Sequence, residues 1–185
     1  MVAAFEQASD TFGPLTGVVN CVGSLLLKPA HLTSEAEYAA TIAANLTTAF
    51  AVCHAAGKVM TGGGSVVLVS TAAAHAGIAN HEAIAAAKAG VEGLMRSAAA
   101  TYASRGLRFN CVAPGLTRTP LTAKITANEA SEKASIAMHA LGRLGEPGDV
   151  SRAICWLLDP VNDWVTGQVL GVDGGLATLR VRPKV

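Results

Sequence analysis

A chain of 185 residues with a net charge of +1 is long enough to bury one sizeable core, and its charge gives no reason to expect a polyanionic partner. Hydrophobic residues make up 51%, charged residues 15% and aromatic residues 4%, a balance that favours parallel α/β packing or a buried oligomer interface. No basic run is interleaved with aromatics, the first residues lack the pattern of a secretory signal, and no uncharged apolar span reaches the roughly 18 residues of a membrane helix, so nucleic acid and membrane are not the expected partners.

The first dozen residues read as the end of a helix that stops near Phe12-Gly13-Pro14, and residues 17–22 as a buried strand. A long helical pattern runs over 33–60, opened by the capped, acidic turn Ser34-Glu35-Ala36-Glu37 and broken at Gly62-Gly63-Gly64. Its apolar course is interrupted by Asn45; a buried helical asparagine needs partners, which a kink or a water site would supply. The β-branched run 65–69 predicts a strand that ends in the hydroxyls of Ser70 and Thr71. A helix carrying Lys88 follows over about 81–104, and Arg105-Gly106 stops it. A strand is expected over 107–112, turned by Ala113-Pro114-Gly115 into a polar segment, 116–137. Asp149 leads a helix to about residue 158, and 166–172 is the last strand, closed by Asp173-Gly174-Gly175. Residues 1–178 therefore form one domain with a parallel sheet, and 179–185 a basic tail expected to fray.

Ligands of such sheets bind beyond the carboxyl ends of the strands. The polar residues expected there are Asn20, Ser70, Thr71 and the Pro114-Gly115 turn with Thr117 and Thr119. Cys21, Cys53, Cys111 and Cys155 show no CxxC spacing and read as buried, reduced thiols of a cytoplasmic protein. His75 and His81, six residues apart with Glu82 alongside, lack the further ligands of a zinc site, so no metal is expected. One turn before Lys88 stands Ile84, on the same helix face.

With these residues placed, the chain resembles the short-chain dehydrogenase/reductase family from residue 1 to about 177. Asn20-Cys21-Val22-Gly23 is similar to the family's Asn-Asn-Ala-Gly strand end, Asn45-Leu46-Thr47 to its catalytic-asparagine helix, and Ser70-Thr71 to its serine after the fifth strand. Ala85-Ala86-Ala87-Lys88-Ala89-Gly90 resembles the segment ending in the catalytic lysine, and Asn110 to Gly115 the Pro-Gly loop over the nicotinamide. Gly142-Arg143-Leu144-Gly145-Glu146-Pro147 and Val172-Asp173-Gly174-Gly175 complete the series in order.

The resemblance implies a Rossmann-like, doubly wound parallel α/β sheet and NAD- or NADP-dependent hydride transfer between a small alcohol and a ketone. It implies catalytic roles for Asn45, Lys88 and Thr71, with Ser70 as the fallback hydroxyl. Contacts to the cofactor would come from Asn20, Gly23, Lys88, Pro114, Gly115, Thr117 and Thr119. The family's helix pairing implies a homo-oligomer through helices 33–60 and 81–104.

Two departures qualify this. The family's tyrosine position holds Ile84, which cannot carry a proton, and His81 and Glu82 nearby read first as helix capping and dipole complement, though either is a possible substitute acid. The glycine-rich turn after the family's first strand has no counterpart, so strands four to seven of the family sheet are expected without the first βαβαβ portion. These departures favour a truncated sequence, or a non-catalytic binding or scaffold protein (a pseudoenzyme), as the alternative reading. A flavodoxin-like domain would leave the Pro-Gly and Asp-Gly-Gly segments without a role.

Overall fold

The computed structural model describes residues 1–180. Four parallel strands, β1 (Gly17–Asn20), β2 (Gly64–Val69), β3 (Leu107–Pro114) and β4 (Val169–Val172), lie side by side in sequence order. Val18 pairs with Val66, Val66 with Phe109, and Cys111 with Val169, which aligns the carboxyl ends of all four strands.

The alternation of side chains along a strand assigns each residue to a face. Val66 and Leu68 of β2, with Leu107, Phe109 and Cys111 of β3, pack on α3 (Thr48–Val59) and α4 (Glu82–Tyr102). Val67 and Val112 face the other way, against Leu157 of α7 (Pro147–Leu158) and its neighbours Val150, Ala153, Ile154 and Leu158. Helices on both faces are why the two central strands are near-continuous apolar runs. The doubly wound parallel sheet is the one expected, with α1 (Val2–Phe12) packed against α3.

Several boundaries differ from the sequence expectation, each for a local reason. The 33–60 helix is three pieces: α2 (Glu35–Ile42), a π-helical turn at Ala43–Thr47, and α3. The π turn surrounds Asn45, so the irregularity expected there takes that form. The first strand stops at Asn20 because its Oδ1 accepts from the Val22 amide, 3.1 Å, and turns the chain. The last strand starts three residues late. Thr166 Oγ1 accepts from the Phe109 amide and Gly167 takes a left-handed φ of 71°, so the chain enters the sheet at Val169. The polar segment folds into a 3₁₀ turn, α5 (Ala123–Thr126) and α6 (Glu129–Met138).

Cys53 and Cys111 are buried as expected, but Cys21 and Cys155 are exposed: Cys21 lies just beyond the end of β1, and Cys155 is on the outer side of α7. The helical run Glu35–Val59 is, contrary to expectation, long and apolar enough by composition to cross a membrane. Ala49, Val52, Cys53, Ala55 and Ala56 are instead buried in the core beneath the sheet. Of the expected tail, Leu179 donates to the Gly175 carbonyl at 2.9 Å, and residues 181–185 lie outside the described residues.

Among the described residues β1 pairs on one side only, with β2, and Val19 is 36% exposed on it. An apolar edge free of lysine or proline is a template for another chain. The isolated 185-residue chain is expected to self-associate through this edge, and Val19→Lys to shift it toward monomer. Light scattering checks both, and an unchanged, monomeric wild type refutes them.

Candidate active site

The carboxyl ends of the strands open into a cavity of about 540 Å³. The segment after β1 contributes Gly23 and Ser24, and the end of β2 contributes Ser70 and Thr71. Lys88 and Ile84 come from α4, and Pro114, Gly115, Thr117 and Thr119 from the turn after β3. Of the residues expected from sequence, only Asn20 is missing from the wall, its side chain being folded back on Val22.

Lys88 is 7% exposed, and its Nζ donates to the Val69 carbonyl at 2.7 Å, so α4 is pinned to the end of β2. An ammonium has three N–H donors, and further ones remain for groups in the cavity that Lys88 lines. Burial holds its pKa below the ordinary lysine value of 10.5, against smaller opposing effects from Cys111 and Cys21.

Asn45 is fully held in the π turn. Its Nδ2 donates to the Thr41 carbonyl at 2.9 Å and to Ser24 Oγ at 3.0 Å, while its Oδ1 accepts from the Ser24 amide at 3.2 Å. This docks the segment after β1 onto the helix and brings Gly23 against both polar residues. A Cβ on Gly23 would sit 2.8 Å from Asn45 Oδ1 and 3.4 Å from Lys88 Nζ, so glycine is required for that approach.

The two candidate hydroxyls divide. Ser70 Oγ donates to Glu92 Oε1 at 2.5 Å, and the same oxygen lies 2.8 Å from His75 Nε2. Thr71, half-buried, accepts from the Ala73 amide at 3.3 Å and among the described residues donates to no group, so its own proton is available. Thr71 is the hydroxyl that fits the chemistry. Ile84 is 3% exposed and forms apolar wall where a proton carrier was sought.

Sequence reasoning missed three supports. Glu92 is the buried anion that engages Ser70; its place one helical turn beyond Lys88 was a usable signal. Ser24 carries Asn45. His139 accepts from the Leu116 amide at Nε2, 3.2 Å, and its Nδ1–H donates to the Ser135 carbonyl, 2.7 Å, fixing the Pro-Gly turn to α6. Gly115 is close enough to that ring that a Cβ would meet Nε2 at 2.6 Å.

The arrangement fits the nicotinamide-ribose half of a dinucleotide, with a buried ammonium beside a close-approaching glycine. No glycine-rich turn runs from a strand into a helix N-terminus among the described residues, so this cavity supplies no pyrophosphate cradle of that type. Among these residues no three His, Cys, Asp or Glu side chains gather to hold a metal ion.

Two outcomes test this geometry. Gly23→Ala is expected to lower unfolding free energy by about 1–3 kcal/mol through overpacking onto Asn45, read by denaturant titration. Lys88→Met tests the buried ammonium. Folded Lys88 loses its proton at lower pH than the unfolded chain does, so its contribution rises with pH up to 10.5 and is lost as pH falls. Cys53 and Cys111, pushed up to about 12 by burial, act oppositely above pH 9. Below pH 9 the cysteines keep their protons in both states, and there the wild-type-minus-Lys88→Met stability difference is expected to rise with pH; a flat difference refutes the assignment.

Comparison with known proteins agrees with this architecture. A family model described as enoyl-(acyl carrier protein) reductase matches residues 1–177. A tropinone reductase homologue of Arabidopsis thaliana is 34% identical over 173 residues, covering 92% of this chain and 66% of the relative. Cyclohexanol dehydrogenase of an Acinetobacter species is 36% identical, covering 94% and 68%. The solved structure of ElxO with NADP bound superposes with a TM-score of 0.90 at 28% identity, covering 96% of this chain and 73% of that one. The chain spans about two thirds of the length of the relatives it matches. The chain belongs to the short-chain dehydrogenase/reductase family.

Proposed function

We propose that this chain forms the nicotinamide and substrate side of an NAD- or NADP-dependent oxidoreductase that interconverts a small alcohol and its ketone. The observation that carries the reading is the meeting of Lys88, Asn45 with its docked Gly23, and Thr71 around one cavity at the strand ends. A nicotinamide bound there supplies or accepts a hydride. Lys88 would hold ribose hydroxyls through its remaining N–H groups, and Gly23 and the Pro114–Gly115 turn would bound the ring. Thr117 and Thr119 lie on the same side of the cavity as that turn. Thr71 would orient the substrate oxygen by its hydroxyl.

The relatives support the cofactor and the substrate class, since one structure carries NADP and one relative is named a cyclohexanol dehydrogenase. The four thiols, none in a disulfide, suit a reducing, cytoplasmic setting. Exposed Tyr38 and Phe50 on α2 and α3 suit the expected homo-oligomer through helices 33–60 and 81–104. A second reading, a binding or scaffold protein that has kept the fold, is favoured by one observation, Ile84 in the cavity wall.

Calorimetric titration of the 185-residue chain with NADH and NADPH at millimolar concentration separates the two. The oxidoreductase reading expects saturable binding of one cofactor, weakened at least about tenfold in Lys88→Ala. Binding of neither cofactor leaves the scaffold reading.

A further inference from the structure

Two titratable side chains stand at the start of α4, and the cavity takes one of them. His81 lines it with Ile84 and Lys88, whereas Glu82 is exposed and forms no part of its wall. His81 precedes Ile84 by three residues and Ile84 precedes Lys88 by four, a spacing that sets all three along one side of the helix start.

The backbone and ring of His81 are both fixed. Asn80, just before it, is the one non-glycine residue with a left-handed backbone among those described, at φ 64°. The Asn80 carbonyl accepts from the Lys28 amide at 2.8 Å, tying this turn to the segment after β1. His81 Nδ1 lies 2.8 Å from the Ala79 carbonyl oxygen. A carbonyl oxygen only accepts, so Nδ1 carries the hydrogen, and the neutral ring presents Nε2 as a bare lone pair. Among the described residues nothing bonds to Nε2.

We propose that His81 is the proton donor and acceptor of this cavity, a role that rests on the alcohol–ketone reading above. In reduction the carbonyl carbon gains a hydride from the reduced nicotinamide and the C=O π pair moves onto oxygen. That oxygen then takes the proton from Nε2 of protonated His81. The ring is left neutral with Nδ1–H still on Ala79, and half-buried as it is, it regains the Nε2 proton from water. In oxidation the Nε2 lone pair would take the hydroxyl proton while the hydride on carbon passes to the oxidised nicotinamide, leaving the ketone. The titratable and charged groups on the surrounding elements are Lys88 and Glu82 of α4, Cys21 in the cavity wall beyond β1, the Lys28–Glu37 ion pair joined to the Asn80 turn through the Lys28 amide, and the mutually bonded His75 and Glu92.

The test uses the full chain with cyclohexanone and cyclohexanol as probes. With NADPH and cyclohexanone, His81→Gln is expected to lower kcat/KM by about 10²–10⁴-fold and to abolish one ionisation limb of its pH profile, with NADPH affinity unchanged. Ile84→Tyr added to His81→Gln is expected to restore turnover, and Glu82→Gln to change nothing. A second readout needs neither cofactor nor turnover: the ¹⁵N signal of His81 Nε2 is expected to move as cyclohexanol is titrated in. An unmoved signal, or His81→Gln turnover within about twofold of wild type, overturns the proposal. If the signal moves but wild type turns over no ketone, Nε2 contacts the alcohol, but the oxidoreductase reading fails and the proton-transfer role fails with it.

Discussion

The bond from Lys88 Nζ to the Val69 carbonyl is the constraint on which the rest of the cavity depends. An ammonium buried to 7% exposure is tolerated only where its charge meets an acceptor, and the last carbonyl of β2 supplies one. The bond fixes the rotation of α4 about its axis. Ile84, one turn earlier, then has to face the cavity, as does His81 at the helix start. Glu92, one turn later, falls beneath β2, where it meets Ser70. A helix turned by one residue would expose the lysine, bury a different set of alanines and break all three relations. The same ammonium limits the opposite wall, because Gly23 approaches so closely that a methyl group would stand 3.4 Å from Nζ.

Much of this was legible in the sequence, for reasons that differ from element to element. Periodicity found every strand; β2 and β3, covered on both faces, read as near-continuous apolar runs, broken in β3 by Arg108 and Asn110. It placed Ser70, Thr71 and the Pro-Gly turn at the strand ends, where βαβ connections must put them, and Lys88 on the helix that follows β2. It also marked Asn45 as anomalous, since a polar side chain on an otherwise apolar helix face has to find partners. The form those partners took, a π turn with Ser24 docked on it, depends on a residue 21 positions away and has no local signature.

What stayed hidden was set by tertiary pairing. Asn20 looked like a cavity residue but spends its carbonyl oxygen on Val22, which only the end of strand pairing makes possible. Thr71 was preferred from sequence with Ser70 as the fallback, and the structure separates them by turning Ser70 toward Glu92 and leaving Thr71 half-buried in the cavity wall. Cys21 and Cys155 sit in apolar sequence yet are exposed, because burial follows the covered face of an element and not its composition. His139, in a polar stretch, is as buried as Ile84: its two ring nitrogens bridge the Leu116 amide and the Ser135 carbonyl.

Ile84 has two consequences that pull in different directions. As an apolar group it removes a proton carrier from beside the lysine, which argues against catalysis at that position. The same residue offers Lys88 no titratable neighbour at that position, so the burial of the ammonium has to be explained by binding. A lysine kept dry at a strand end, against a glycine and a docked asparagine, is costly unless a polar ligand completes its donors. The buried ammonium therefore weighs toward a cavity that binds something with hydroxyls, and with Ile84 beside it the proton has to be moved from elsewhere in the wall, which is the role proposed for His81.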